Sequence, residues 1–298
     1  MDNPLVSIIT ITLNRGDLIE RCIKSVLNQT YTNIEHIIVD GASTDNTDEI
    51  IKKYPHLKFI KLKTNLPIIE TVNVGFKNSK GRYIAFLDSD DEYLPTKIEK
   101  QVRLIETLSN DYGFVYCWMT FFDQNNGKFV RIHKAELRGN VAMEVVEKPI
   151  ISGTPTYLFK RETFEYLGGW KDGIGIISDW ELAARACQHY KVDYVAESLV
   201  NVYINHGKQR MSEKNFYGEN LYKNSFIFHS YFLTEFKNVL DEFPKKKHLH
   251  LYNLSQASYY VNNWRNAIKY QCQLLRIDFS LRNLLLPVKV LYHKLLRK

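Results

Sequence analysis

The chain has 298 residues, 45% of them hydrophobic and 24% charged, which suits one large folded domain or a domain with an appendage and excludes general disorder. With 40 basic against 33 acidic residues the formal charge is +7, partly gathered at the C-terminus, where it points to an acidic surface as partner. No zinc-finger spacing, RNA-binding aromatic motif or basic helical block accompanies that charge, so no nucleic-acid partner is expected. The four cysteines (Cys22, Cys117, Cys187, Cys272) are scattered with no C-x-x-C pair, which argues against a disulfide framework or a zinc site. Met1-Asp2-Asn3-Pro4 puts no basic region before its short apolar run. Nor is there a stretch of about 18 apolar residues. Neither a signal peptide nor a spanning helix is expected, and the expected compartment is the cytoplasm.

In chain order, Leu5 to Ile11 is a β-branched apolar run, as a parallel strand covered on both faces would be. Leu18, Ile19, Cys22, Ile23, Val26 and Leu27 follow at helical spacing. A second strand is predicted over Ile34 to Val39, ending at Asp40-Gly41, then a helix over 45–54, a strand over 57–62 and a helix over 68–78. Tyr83 to Leu87 forms a fourth strand that runs into Asp88-Ser89-Asp90-Asp91. This rhythm predicts an α/β fold: a mostly parallel, Rossmann-like sheet with helices on both faces. Ligands of such sheets sit outside the carboxyl ends of the strands. Both acidic turns, at Asp40 and at Asp88 to Asp91, fall at that edge.

Further on, Gly113 to Phe122 predicts a long aromatic strand, with a hairpin turn at Asn125-Asn126-Gly127. A helix over 141–146, a turn at Ser152 to Pro155 and a helix over 178–190 follow, the last opened by a Ser178/Glu181 capping box. Beyond about Ser212 the pattern changes to aromatic-rich helices. The expected organisation is therefore a catalytic domain over 1–212 and a C-terminal α-helical appendage over 213–298.

Three carboxylates within four residues repel one another unless a positive charge sits between them. Magnesium or manganese meets that need, taking one or two protein carboxylates plus substrate phosphates. The alternative is a turn and helix cap ahead of Pro95. Two other nucleotide chemistries fit poorly. The turn after the first strand lacks the G-x-G-x-x-G that a dinucleotide pyrophosphate requires, and it also lacks the glycine-rich basic loop of a nucleotidyltransferase.

The segments SIITITLNRGDLIERCIKSVLNQTYTNIEHIIVDGASTDNT and NVGFKNSKGRYIAFLDSDDEYLP together resemble the family 2 glycosyltransferases of the GT-A fold, over roughly residues 5 to 212. The resemblance implies an inverting transfer from a nucleotide-sugar donor, most commonly a UDP-sugar, to a glycan or lipid-linked glycan acceptor. It assigns Thr12, Asn14 and Asp40 to the nucleotide-base pocket, where the often aromatic position 13 is Leu13. It matches the D-x-D motif to Asp88-Ser89-Asp90, with Asp88 near the ribose and Asp90 on a divalent metal, Mn2+ or Mg2+. Asp91 has no assigned role, and Asn73 contacts the donor. Asp45 is expected to cap its helix.

Likewise, GGWKDGIGIISDWELAARA resembles the family's acceptor segment and maps the general base to Asp179, with Ser178 standing where relatives often carry Glu. The competing reading is an acid that complements the helix dipole. Trp170 and Trp180 either shape the acceptor site or pack. Acceptor choice is expected in Gly153 to Lys171 and in the helical tail. NVYINHGKQRMS resembles the family's closing element, with His206 as a second metal ligand and Lys208 and Arg210 near the diphosphate.

In the tail, Leu284, Val288, Leu291 and Leu295 repeat at helical spacing, with Arg282, Lys289, His293 and Arg297 mostly opposite. Such a helix reads either as an anchor on an anionic membrane surface, making the protein peripheral at the inner face of the cell membrane, or as an ordinary packed helix. The rival function is a non-catalytic membrane-surface or glycan-binding protein that retains the GT-A fold.

Overall fold

A computed structural model describes residues 3–151, 153–174, 178–205, 207 and 220–295, except for the side chains of Ser178 and of residues 293–295. In chain order the first elements are β1 (Val6–Thr12), α1 (Ile19–Leu27), β2 (Ile34–Asp40), α2 (Thr47–Ile51), β3 (Lys58–Lys61), α3 (Ile68–Lys77) and β4 (Tyr83–Phe86). Then come β5 (Glu92–Tyr93), α4 (Lys97–Glu106), β6 (Tyr112–Asp123), β7 (Phe129–His133), α5 (Ala142–Glu147), β8 (Leu158–Lys160), α6 (Arg161–Tyr166), α7 (Ser178–Cys187) and β9 (Lys191–Ile204). The C-terminal part is helical: α8 (Leu221–Glu235), α9 (Lys237–Glu242), α10 (His248–Tyr260), α11 (Trp264–Ile277), α12 (Leu281–Leu284) and α13 (Leu286–Leu295).

Chain contacts divide these elements into two compact units. The first comprises Met1–Val141, Ile151–Asp172 and Asp179–Gly207, and the second Ala142–Ile150, Gly173–Ser178 and Lys208–Lys298. The change of pattern expected near Ser212 falls outside the described residues.

In the first unit the sheet order is β3-β2-β1-β4-β8-β6-β9-β5, with β7 paired to β6. The β-branched side chains of β1 alternate between two buried faces. Val6 and Ile8 join Ile38 in one core with Ile19, Cys22 and Ile23 of α1 and Ile98 and Val102 of α4. Ile9 and Val39 meet α3, which comes so close that a Cβ on Gly75 would lie 2.5 Å from Ile9 Cγ2. Helices thus cover both faces, as the alternation predicts.

The pairings are more mixed than the expected parallel rhythm. β3, β2, β1 and β4 are parallel. β8 then enters antiparallel to both β4 and β6. The 14-residue β9, parallel to β6, had no predicted counterpart. Its polar positions Asp193, Glu197 and Ser198 hide the two-residue period, and its register against β6 shifts around Cys117 and Trp118. α2 is also shorter than its predicted helix, at five residues.

In the second unit Leu251, Tyr259, Ala267, Leu274, Leu286 and Val290 form a core between α10, α11 and α13. A histidine pair sits in the same unit. The Val146 carbonyl can only accept, so His250 Nε2 carries a hydrogen and donates to it at 2.9 Å. His250 Nδ1 is therefore an acceptor, and His229 Nδ1–H donates to it at 3.0 Å. Burial holds both imidazoles neutral, well below the ordinary 6.5. Below about pH 6.5 the unfolded chain takes up protons that the folded pair refuses. The pair therefore costs the folded state nothing above that pH and destabilises it increasingly as pH falls toward 4. Denaturant unfolding of the full chain at pH 7.5, 6 and 5 is expected to show this acid-side loss, with a slope approaching about 1.4 kcal/mol per pH unit for each histidine. A His229→Leu/His250→Leu double variant is expected to flatten that slope, and an unchanged slope would place the loss elsewhere.

Candidate active site at the strand ends

The ends of β1 and β2 lie side by side, with Thr12 opposite Asp40 in register and Gly41 N–H donating to the Thr12 carbonyl at 2.9 Å. Asp40 is fully buried, and its carboxylate accepts from Ser43 N–H (3.0 and 3.2 Å) and from the Ser43 hydroxyl. Ser43 Oγ in turn accepts from Asn14 N–H at 2.8 Å. Asn14 adopts a left-handed conformation (φ 52°) that asparagine tolerates better than most residues, and its Oδ1 accepts from Thr44 N–H at 2.9 Å. Asp45 holds the entry to α2 through Thr47 N–H (3.0 Å) and ties it to Gly16 N–H (3.2 Å), in keeping with its expected structural role.

The two loops are thus laced together, and the expected trio of Thr12, Asn14 and Asp40 does converge. Their side chains differ in what remains available. Those of Asn14 and Asp40 hold the loops, whereas the buried Thr12 hydroxyl has no hydrogen-bond partner among the described residues. Leu13 is 37% exposed and offers an open aliphatic face beside them.

Next to β1, β4 ends at Phe86, and Leu87 N–H donates to the Ile9 carbonyl at 3.1 Å. A bond from Asp91 N–H to the Asp88 carbonyl (3.1 Å) closes the acidic turn. Oxygens of Asp88, Asp90 and Asp91 lie within 4.8 Å of one another. Ser89, Asp90 and Asp91 are buried, while Asp88 stays accessible. Asp91, unassigned by the sequence, accepts from Tyr203 N–H at 3.1 Å near the end of β9.

Arg21, which no sequence signal singled out, secures the turn from α1. Its Nη2 donates to the Asp90 carbonyl at 2.5 Å and its Nη1 to Gln124 Oε1 at 2.7 Å, and its guanidinium lies 3.6 Å from the Tyr203 ring centroid. The Tyr203 hydroxyl donates to Glu92 at 2.8 Å. The negative field of the turn reaches Cys22, whose thiol is pushed up chiefly by burial and further by Asp91, Asp88 and Asp90. A convergent set of hard carboxylate oxygens in such a field fits magnesium or manganese.

Asp179 lies in the first turn of α7. Its Oδ2 accepts from Gly153 N–H at 2.7 Å and its Oδ1 from Trp180 N–H at 2.8 Å, while its carbonyl accepts from the Tyr157 hydroxyl at 3.3 Å. Gly153 has φ +100°, and a Cβ there would lie 2.7 Å from Met119 Cε, so the turn that presents this amide strongly favours glycine. Ala85 faces Leu158 in antiparallel register, so the chain leaving β4 for Asp88 runs beside the turn that leads from Gly153 into β8.

The Glu181 side chain, predicted to share a capping box with Ser178, is fully buried and pairs with Arg185 at two points (2.7 and 2.8 Å). Asn73 is half-buried on α3, its Oδ1 3.4 Å from where a Cβ on Gly169 would stand. Trp170 and Trp180 are core residues. Trp170 packs edge-on against Phe86 (5.3 Å), and its buried indole N–H has no partner among the described residues. His206, Lys208 and Arg210 lie outside the described residues.

This fold recurs in solved structures. The structure of S. aureus TarS 1-349 in complex with UDP-GlcNAc matches with a TM-score of 0.65 at 16% identity, over 93% of this chain and 91% of that one. The mannosyltransferase PcManGT of Pyrobaculum calidifontis, in complex with GDP-Man and Mn2+, matches at 0.62 and 18% identity, over 98% and 81%. These likenesses define the fold as GT-A type. The profile of glycosyl transferase family 2 matches residues 7–168, more than half of the chain, and the chain belongs to that family. An uncharacterized glycosyltransferase of Rickettsia prowazekii is 30% identical over 183 residues, 60% of this chain and 58% of that protein. The Escherichia coli UDP-Glc:alpha-D-GlcNAc-diphosphoundecaprenol beta-1,3-glucosyltransferase WfaP is 47% identical over 105 residues, 35% of this chain and 42% of that protein. The chain therefore spans less than two thirds of the length of these relatives.

Arg21→Ala is expected to loosen the acidic turn, at a cost of about 1–3 kcal/mol for the lost charged hydrogen bond and the ring contact. Hydrogen exchange should rise at least tenfold at the amides of Asp91 and Tyr203 and remain unchanged in the core of β2. Unaltered exchange at Asp91 and Tyr203 would mean that the turn holds itself.

Proposed function

We propose that the chain transfers a sugar from a nucleotide-diphosphate donor, in first place a UDP-sugar, to a hydroxyl of a glycan or lipid-linked glycan, inverting the anomeric centre. One observation carries this reading. A carboxylate cluster suited to a metal-bound pyrophosphate shares a sheet edge with a separate carboxylate, Asp179, held by a backbone amide of the neighbouring turn. The comparisons support it in kind: WfaP bears a UDP-Glc donor in its name, and the two structures of like fold carry UDP-GlcNAc or GDP-Man with Mn2+.

In this reading the exposed face of Leu13 meets the nucleotide base, within the pocket that Thr12, Asn14 and Asp40 shape, the last two by locking their loops. Asp88 and Ser89 contact the ribose, and Asn73 reaches the donor from α3. A divalent cation, Mn2+ or Mg2+, held by Asp90 and His206, would offset the charge of the diphosphate. Support for His206 comes from Tyr203, three residues earlier, whose amide bonds to Asp91.

The acceptor hydroxyl attacks the anomeric carbon from the face opposite the diphosphate. Its proton passes to Asp179, the new C–O bond forms, and the electron pair of the broken bond leaves with the nucleotide diphosphate. An ionised carboxylate has about four acceptor positions. Two amides occupy Asp179 and fix its aim, and the remaining capacity is available for that proton. The reading also sets the enzyme at the inner face of a cell membrane, where lipid-linked acceptors are exposed.

A panel of nucleotide sugars, scored for manganese-dependent thermal stabilisation and donor hydrolysis, identifies the donor. Asp90→Asn is expected to lose the metal-dependent part of that stabilisation. Asp179→Asn is expected to keep it and lower transfer by about 10²–10⁴-fold, the range for removing a general base. Transfer at the original rate in Asp179→Asn would remove the base assignment.

A further inference from the structure

We infer that the α11–α13 surface of the second unit is a docking face for an anionic lipid bilayer, with its apolar contacts made by a ridge that follows α11. The membrane role given above is thereby deepened to a particular surface. Charge comes first. From residue 261 to the C-terminus there are eight basic residues (Arg265, Lys269, Arg276, Arg282, Lys289, Lys294, Arg297, Lys298) and one acid, Asp278, a local excess of +7. The whole chain carries 40 basic and 33 acidic residues, also +7, so residues 1–260 hold 32 of each and are formally neutral. All the surplus charge of the protein belongs to this one stretch.

Apolar exposure is concentrated in the same place. Phe279 is 79% exposed, Leu281 70%, Val288 62% and Tyr292 59%, and Leu284, Leu285 and Leu291 are between 44% and 47%. Side chains of this size are worth burying, and no described part of the unit covers them. They are not the packed side of an ordinary helix either. α13 is pinned to the core by Leu286 and Val290, each 1% exposed, and its apolar residues continue around to the other side. The tail therefore packs through Leu286 and Val290, while Leu284, Val288 and Leu291 stay exposed. Arg282 and Lys289 are exposed among these residues. α11 repeats the arrangement, with Trp264 and Ile268 exposed beside Arg265 and Lys269.

A surface that is both strongly basic and openly apolar needs a partner that is acidic outside and apolar within. A bilayer containing anionic lipid has that chemistry: headgroups for the lysines and arginines, acyl chains for the ridge. A second copy of the chain would set one strongly basic stretch against another, which disfavours self-association through this face. No helix among the described residues is long and apolar enough to cross a membrane, so the contact lies along the interface.

The test uses the full chain and sedimentation with vesicles, without donor or metal, so that its outcome is independent of the transfer reading. Vesicles of phosphatidylcholine with about one third phosphatidylglycerol should retain the protein, pure phosphatidylcholine should not, and added salt should weaken retention. Leu281→Ser/Val288→Ser replaces two exposed side chains and should lower partitioning at least tenfold at unchanged melting temperature and nucleotide-diphosphate binding. Arg282→Gln/Lys289→Gln should lower it several-fold and reduce the salt dependence. Undiminished binding by the apolar variant would overturn the proposal, as would equal binding to neutral vesicles. A concentration-dependent dimer abolished by Leu281→Ser/Val288→Ser would overturn it too, in favour of self-association.

Discussion

Three carboxylates whose oxygens come within 4.8 Å of one another form a locally unfavourable arrangement, and much of the first unit is organised around tolerating it. The turn at 88–91 could relax by splaying outward into water, yet Ser89, Asp90 and Asp91 are buried. Contacts from two remote segments prevent the splaying. Arg21 from α1 holds the Asp90 carbonyl, and Tyr203 from β9 gives its amide to Asp91. The stacking of Arg21 on Tyr203 joins these two restraints into one. Such a clamp holds the three carboxylates together against their mutual repulsion. The same clamp connects the turn to the end of β9, so geometry at the carboxylates and at the end of that strand is mechanically shared.

Asp179 illustrates the opposite solution. It stands on its own helix, and what it needs is aim. The Gly153 amide supplies this at 2.7 Å, from a turn whose left-handed backbone (φ +100°) strongly favours glycine. Because that turn runs into β8, and β8 is hydrogen-bonded to β4, the strand that delivers the acidic turn also positions the turn that orients Asp179. The antiparallel insertion of β8 is thus more than a departure from a parallel sheet. It brings the 150s loop to the carboxyl ends of strands that a purely parallel order would separate from it.

How much of this was legible in the sequence depended on the range of the interaction. β1 to β4 and their helices were readable because each buries a local apolar period against a parallel neighbour, and the acidic turn was readable because its charges are adjacent in the chain. β9 was not, since its period is broken by Asp193, Glu197 and Ser198 and its burial depends on β6, far away in sequence. Arg21 was invisible for the same reason. On α1 it is one more charged residue beside Glu20, and only the fold brings the Asp90 carbonyl to it. Asn14 and Asp40 were found by their pattern. In the structure their side chains lock the two loops, Thr12 is buried beside them, and Leu13 is the exposed neighbour.

The second unit separates two uses of hydrophobic side chains that sequence periodicity alone merges. On α13, Leu286 and Val290 serve the core, while Val288 and Leu291, like Leu284 at the end of α12, sit at nearly the same spacing and are exposed. A stripe of either kind yields a similar helical pattern, which is why packing and anchoring remained open as alternatives. The net charge of the chain gathers after residue 260, and that is the feature on which the proposed anionic interface rests. The buried histidine pair adds a mechanical reason for the helices to hold that face steady near neutral pH. It fastens α8 to α10 by a hydrogen bond that requires an uncharged His250 ring, and α10 to the carbonyl of Val146.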